Sequence, residues 1–137
     1  MPSITDLEKV QAIGLLSGFE RIRPRRWRGF TTPENIRLLA EHLRRLGAHL
    51  SAITCIDEGS EFVLIYHFDF DGELLNVHVR IPKAVASLPS ISEIYPAADF
   101  YEREVSEMFG IVFEGARRER LLLPDDWPSG EYPLRRW

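Results

Sequence analysis

The chain has 137 residues, 45% of them apolar and 28% charged, with 17 basic and 21 acidic side chains and a net charge of -4. That is the length and balance of one globular domain, and the acidic sign argues against a general nucleic-acid binder, which needs many phosphate-neutralising Lys and Arg. The one cysteine, Cys55, excludes a disulfide framework or a thiolate cluster built within this polypeptide. It reads as a buried small apolar residue and fits a reducing compartment.

Met1-Pro2-Ser3-Ile4-Thr5-Asp6 lacks the basic region and apolar run of a signal peptide. No apolar stretch approaches the ~20 residues that span a bilayer. Work at a membrane would therefore require another component to hold the chain there.

In chain order, a short helix is expected from Thr5 to Ile13, ending near Gly14. Arg21, Arg23, Arg25, Arg26 and Arg28 follow, interleaved with Ile22, Trp27 and Phe30; an edge strand is expected, with Pro24 limiting its ladder. Basic residues with aromatics can bind single-stranded nucleic acid, but five arginines in an acidic chain read rather as an interface or solvated edge, facing an acidic neighbour or anionic lipid. Thr31, Thr32, Pro33 and Glu34 carry helix-start chemistry. Ile36, Leu39, Leu43 and Leu46 then form one apolar stripe, opposite Arg37, Glu41 and Arg45, with Gly47 as the stop.

Residues 49–56 read as a strand. Phe62 to Phe70, Asp71-Gly72, and Glu73 to Ile81 form a hairpin, because Asp-Gly between two apolar runs is the strongest short hairpin signal. Pairing Phe70 with Glu73 sets Phe62 opposite Ile81, Leu64 opposite Val79, Tyr66 opposite Val77 and Phe68 opposite Leu75. All four pairs are apolar, and a slip of one residue would destroy that face. His67, Asp69 and His78 fall on the other, mixed face as hydrogen-bonding or exposed groups; no fourth ligand or motif spacing supports zinc.

Lys83 to Leu88 are expected to be helical, and residues 98 to 109 form a second good helix with Phe100, Val105, Met108 and Phe109 as its main apolar positions and Gly110 as its end. Ile111-Val112-Phe113 is a brief strand. The fold class expected is α+β: a two-layer domain with a mixed, hairpin-containing sheet packed by helices, spanning residues 1–115. Residues 116–137 are expected to be an extended proline-containing arm. Pro124, Pro128 and Pro133 break it, yet its leucines, tryptophans and Tyr132 are too apolar for a disordered tail. Such an arm folds back on its domain or lies along another protein, and its Trp, Tyr and Arg residues favour the second.

Within the second helix Glu102, Arg103, Glu104 and Glu107 form a charged patch. Arg103 and Glu107 have i, i+4 spacing, and the group suits charge-assisted hydrogen bonds to the arm's arginines or to a partner. No His or nucleophile stands beside them in sequence, which speaks against acid–base catalysis.

The run Pro96-Ala97-Ala98-Asp99-Phe100-Tyr101-Glu102-Arg103-Glu104, then Glu107-Met108-Phe109-Gly110-Ile111, resembles the signature of the 30 kDa subunit family of respiratory complex I, which includes the related subunits of membrane-bound nickel–iron hydrogenases. Phe113-Glu114-Gly115, Arg120-Leu121-Leu122-Leu123-Pro124, Asp125-Asp126-Trp127 and Pro133-Leu134-Arg135-Arg136 continue the match in order. The chain departs from the pattern at Gly115-Ala116-Arg117, where Gly-His-Pro is usual, and at Glu131-Tyr132, where a single His is common.

The resemblance implies a non-catalytic structural subunit of the peripheral arm of a complex I-like NADH:quinone oxidoreductase, or the equivalent subunit of a membrane-bound nickel–iron hydrogenase. It implies no cofactor on this chain, a D-type large subunit and a neighbouring iron–sulfur subunit as partners, docking near the quinone site, and a peripheral place on the cytoplasmic face of the cell membrane. Iron–sulfur clusters typically need four Cys ligands, which agrees with the cysteine count. Glu102, Arg103, Glu104, Glu107, Phe109, Arg120, Leu123, Trp127, Leu134, Arg135 and Arg136 are the partner-binding residues expected on this basis.

Overall fold

The computed structural model describes residues 8–11, 13–116, 126–128 and 130–136. Residues 8–11 are helical, and the start of the helix expected from Thr5 lies outside the described residues. Two strands follow, β1 (Ser17–Arg23) and β2 (Arg26–Thr31). They pair antiparallel, with Arg23 opposite Arg26. The expected edge strand is thus a hairpin, and Pro24 sits in its turn beside Arg25, whose φ of 62 is left-handed.

Helix α1 (Ile36–Arg45) begins after a turn in which Asn35 and Ile36 N–H groups both reach the Thr32 carbonyl. The threonines do not cap it. Thr31 ends β2 and gives its hydroxyl to the Leu15 carbonyl at 2.7 Å, and the cap residue Asn35 makes no side-chain bond. The apolar stripe is as expected, with Ile36, Leu39 and Leu43 wholly buried.

Strands β3 (His49–Asp57), β4 (Glu61–Phe70) and β5 (Glu73–Pro82) complete a mixed five-stranded sheet of order β1-β2-β5-β4-β3, in which β2 and β5 run parallel. The β4–β5 register is the one set by the Asp-Gly turn: Phe62 faces Ile81, Leu64 faces Val79, Tyr66 faces Val77 and Phe68 faces Leu75. Asp71 and Gly72 have φ of 51 and 91, as a two-residue turn matching the strand twist requires. Those four pairs are buried, and together with the α1 stripe they make the core.

Residues 83 to 88 are not a helix. Lys83–Val85 make one 3-10 turn, and β6 (Ser87–Pro89) then pairs in parallel with β7 (Val112–Glu114). A pairing partner more than twenty residues away overrides the local preference of Lys-Ala-Val-Ala. Helix α2 (Ala98–Phe109) ends at Gly110, whose φ of 76 gives the left-handed cap. Its buried residues are Ala98, Glu102, Val105, Glu107 and Phe109, whereas Phe100 is exposed. The order expected from hydropathy is thus partly inverted in this helix. The architecture is α+β, an open mixed sheet packed by helices.

Candidate functional site: a glutamate-anchored helix and a C-terminal strap

Glu102 has no solvent exposure. Its Oε1 accepts the Ser90 hydroxyl at 2.6 Å and its Oε2 accepts the Ile91 N–H at 2.9 Å, so α2 grips the loop that precedes it. Ser90 Oγ in turn accepts the Ser92 N–H at 3.1 Å. Burial raises the Glu102 carboxyl to about 7, and Asp99 adds to the rise, while the bonds from Ser90 and Ile91 oppose it. Tyr66 lies close enough for the Glu102 charge to push its phenol further up, after burial as the main cause. Glu102 therefore acts inside the domain. The reading of it as part of a solvated or partner-facing patch is corrected by its burial.

Its neighbours differ. Arg103 is half-buried, with Nε 3.6 Å from Asp99 one turn earlier. Glu104 is half-buried, and Glu107 and Phe109 are largely covered. The Phe109 ring meets Phe62 edge-on at 5.9 Å.

The described end of the arm lies across the C-terminus of α2. Leu134 N–H donates to the Met108 carbonyl and Arg135 Nε to the Phe109 carbonyl, both at 2.9 Å. These are the free carbonyls at a helix end, and a guanidinium there also meets the negative pole of the helix. The Arg135 guanidinium covers the Phe62 ring at 5.2 Å and the Tyr132 ring at 4.9 Å. The Tyr132 ring in turn packs on Gly110, leaving no room for a Cβ there.

The strap ends on Asp57. This carboxylate, with 1% of its side chain exposed, receives Lys83 Nζ at 2.7 Å, Gly59 N–H at 2.9 Å and Arg136 N–H at 2.5 Å. Lys83 also donates to the Arg136 carbonyl, so one ion pair holds both backbone groups of Arg136. Burial pushes the Asp57 carboxyl up, but Lys83 and the two N–H groups outweigh it and hold it down at about 2. Trp127 Nε1 donates to the Glu131 carbonyl at 2.8 Å, and these two residues with Tyr132 and Pro133 line a depression. Leu134 keeps 58% of its surface exposed. Arg120 and Leu123 lie outside the described residues.

Asp57 and Lys83 are not among the site residues expected from sequence, and Gly110 is expected there only as the end of α2. Asp57 stands 79 positions from Arg136, and nothing local marks it as a receiver. On the outer face of the sheet, His67 Nδ1 meets Asn76 Oδ1 at 2.7 Å and its Nε2 meets Thr54 Oγ1 at 2.8 Å. Both ring nitrogens are thus engaged in hydrogen bonds. Among the described residues no group of three or more His, Cys, Asp and Glu is placed to hold a metal ion.

The segment that carries α2 and the strap lies within a larger stretch, residues 30–137, that matches the family described as respiratory-chain NADH dehydrogenase, 30 kDa subunit. The chain belongs to this family. Among its relatives is the membrane-bound hydrogenase subunit beta of Pyrococcus furiosus, 39% identical over 110 residues, which cover 74% of this chain and 64% of the relative. The C/D subunit of the NADH-quinone oxidoreductase of Methylococcus capsulatus is 35% identical over 116 residues, covering 75% of this chain and 19% of that protein. The chain thus spans less than two thirds of the length of these relatives. A chain in the structure of the membrane-bound sulfane sulfur reductase, an archaeal respiratory membrane complex, superposes with a TM-score of 0.84 at 28% identity, over 96% of this chain and 82% of that one. No helix among the described residues is long and apolar enough to cross a membrane.

Proposed function

We propose that this chain is a non-catalytic docking subunit in the peripheral arm of a complex I-like oxidoreductase, seated on a D-type large subunit near the quinone site, at the cytoplasmic face of the membrane. The observation that carries this reading is the continuous family match through α2 and the strap, where the fold concentrates its unusual polar anchoring. The Methylococcus relative, whose name carries both C and D, supports a D-type partner. The hydrogenase and sulfane sulfur reductase relatives favour, as second reading, the equivalent subunit of a hydrogenase-type membrane complex, with the same docking and a different electron acceptor. In either case an iron–sulfur subunit lies alongside, and the chain needs no cofactor of its own.

In mechanism the chain positions rather than reacts. Glu102 and Asp57 fix the 90–92 loop and the strap from inside, which costs their carboxylates no contact with the partner. Leu134, Trp127, Arg103 and Glu104 then offer exposed or half-buried groups outward. Buried anchors beneath exposed aromatic, Leu and Arg groups reduce the ordering cost of association.

Leu134→Asp tests this directly. Its side chain is exposed, so the domain should keep its folding midpoint. Recovery of the large subunit with tagged chain from native membranes should fall at least tenfold, since a charge buried at an interface costs more than ~1.4 kcal/mol. Unchanged recovery would overturn the docking face.

A further inference from the structure

The arginine hairpin takes no part in the docking face above, and its placement calls for a ligand of its own. Strand β1 is at the edge of the sheet, and every residue in it except Phe19 is exposed. One side of β1 pairs with β2; along the other, no strand of the described residues adds to it, and Gln11 Oε1 receives the Phe19 N–H at 3.0 Å.

The ribbon is rigidly mounted. Phe19 stacks on Trp27 with ring centres 5.0 Å apart, Trp27 Nε1 donates to Glu73 at 3.0 Å, and Leu74 N–H donates to the Arg25 carbonyl at 2.9 Å. Arg28 pairs with Glu20 and covers the Phe30 ring at 5.8 Å. Arg21, Arg23, Arg25 and Arg26 have no acidic partner among the described residues. Four cations on one stiff ribbon of an otherwise acidic chain make a local positive field.

The register distributes these charges on both faces. Arg21 stands opposite Trp27, which shares the core side with Leu75, whereas Arg23 stands opposite Arg26 on the outer side. A bilayer or a flat anionic surface would meet one face only. An extended peptide beside β1 presents alternate side chains to both faces, and its backbone satisfies the open ladder, which a lipid headgroup cannot do. Arginine forks also match carboxylates in paired hydrogen bonds.

We propose that β1 accepts an extended acidic segment of a neighbouring protein as an added strand, its carboxylates paired with Arg21, Arg23, Arg25 and Arg26. The proposal is independent of the docking role of α2 and the strap, and either can fail alone.

The test is an amide-shift titration of the full chain with a synthetic peptide of alternating Glu-Glu and Val-Val pairs, which as a strand puts carboxylates on both faces, compared with its Lys-Lys and Val-Val counterpart and with phosphatidylglycerol vesicles. The acidic peptide should shift Ser17–Arg23 amides selectively, and the basic peptide should not. Arg21→Gln, Arg23→Gln and Arg25→Gln together should weaken binding about tenfold, at roughly a factor of two to three for each exposed pair. An unchanged spectrum of the core amides in that variant certifies its fold. No binding would overturn the proposal and leave the arginines as a guard against edge-to-edge aggregation. Shifts with vesicles but not with peptide would overturn it in favour of a lipid contact, and equal binding by the triple variant would overturn it as well.

Discussion

Glu102→Gln separates what the buried carboxylate does for the fold from what its charge costs. In the folded chain burial raises this carboxyl from an ordinary value of 4.5 to about 7. The folded state therefore holds the proton more tightly than the unfolded state does. The stabilisation from that proton is complete below about pH 4.5 and is lost as pH rises through about 7. At 1.36 kcal/mol per pH unit the interval amounts to about 3 kcal/mol. Glutamine keeps both contacts without the charge, because its carbonyl accepts the Ile91 N–H while its amide donates to Ser90 Oγ, which already receives the Ser92 N–H at 3.1 Å. Urea unfolding of both proteins at a series of pH values removes titrations they share. The wild type should lose about 3 kcal/mol relative to the variant between about pH 4.5 and pH 8. Parallel profiles, with the variant offset by the same amount at every pH, would show that the Glu102 charge carries no such cost.

Three further substitutions follow from the same contacts. Asp57→Asn removes the receiver of Lys83 and Arg136 and should cost about 3 kcal/mol at neutral pH, with faster tryptic cleavage in the strap. Because that carboxyl is held down at about 2 from an ordinary 3.8, its contribution is present above about 3.8 and disappears as pH falls toward 2. Acid unfolding of the variant should lack that component. Gly110→Ala meets a left-handed φ of 76 and the Tyr132 ring together; the backbone alone costs ~1–2 kcal/mol, and thermal melting should show at least that loss. Tyr66→Phe deletes a buried hydroxyl that has no hydrogen-bond partner among the described residues, so the variant should be as stable as the wild type or about 1 kcal/mol more stable in urea unfolding.

The hairpin was legible in sequence down to its register, because alternating apolar residues and Asp71-Gly72 act locally and point to the same pairing. The span of α2 was equally plain, and Gly110 ended it as expected. Its inward face was not. Ranking by hydropathy turns Phe100 in and Glu102 out, whereas Phe100 is 47% exposed and Glu102 is 0% exposed. The groups that satisfy Glu102 come from a loop, and no local pattern records them. The 87–89 strand was missed for the same reason, since its partner follows only after α2. Arg135 and Arg136, singled out in sequence as partner-facing, are anchored within the chain. What they anchor to, Asp57, is visible only once the chain is folded.

Purifying the tagged chain from native membranes and quantifying what comes with it by mass spectrometry decides whether it is a docking subunit. A hydrogenase-like large subunit in equal amount to the tagged chain, accompanied by an iron–sulfur subunit, is expected. Recovery of the chain with neither would rule out the docking role.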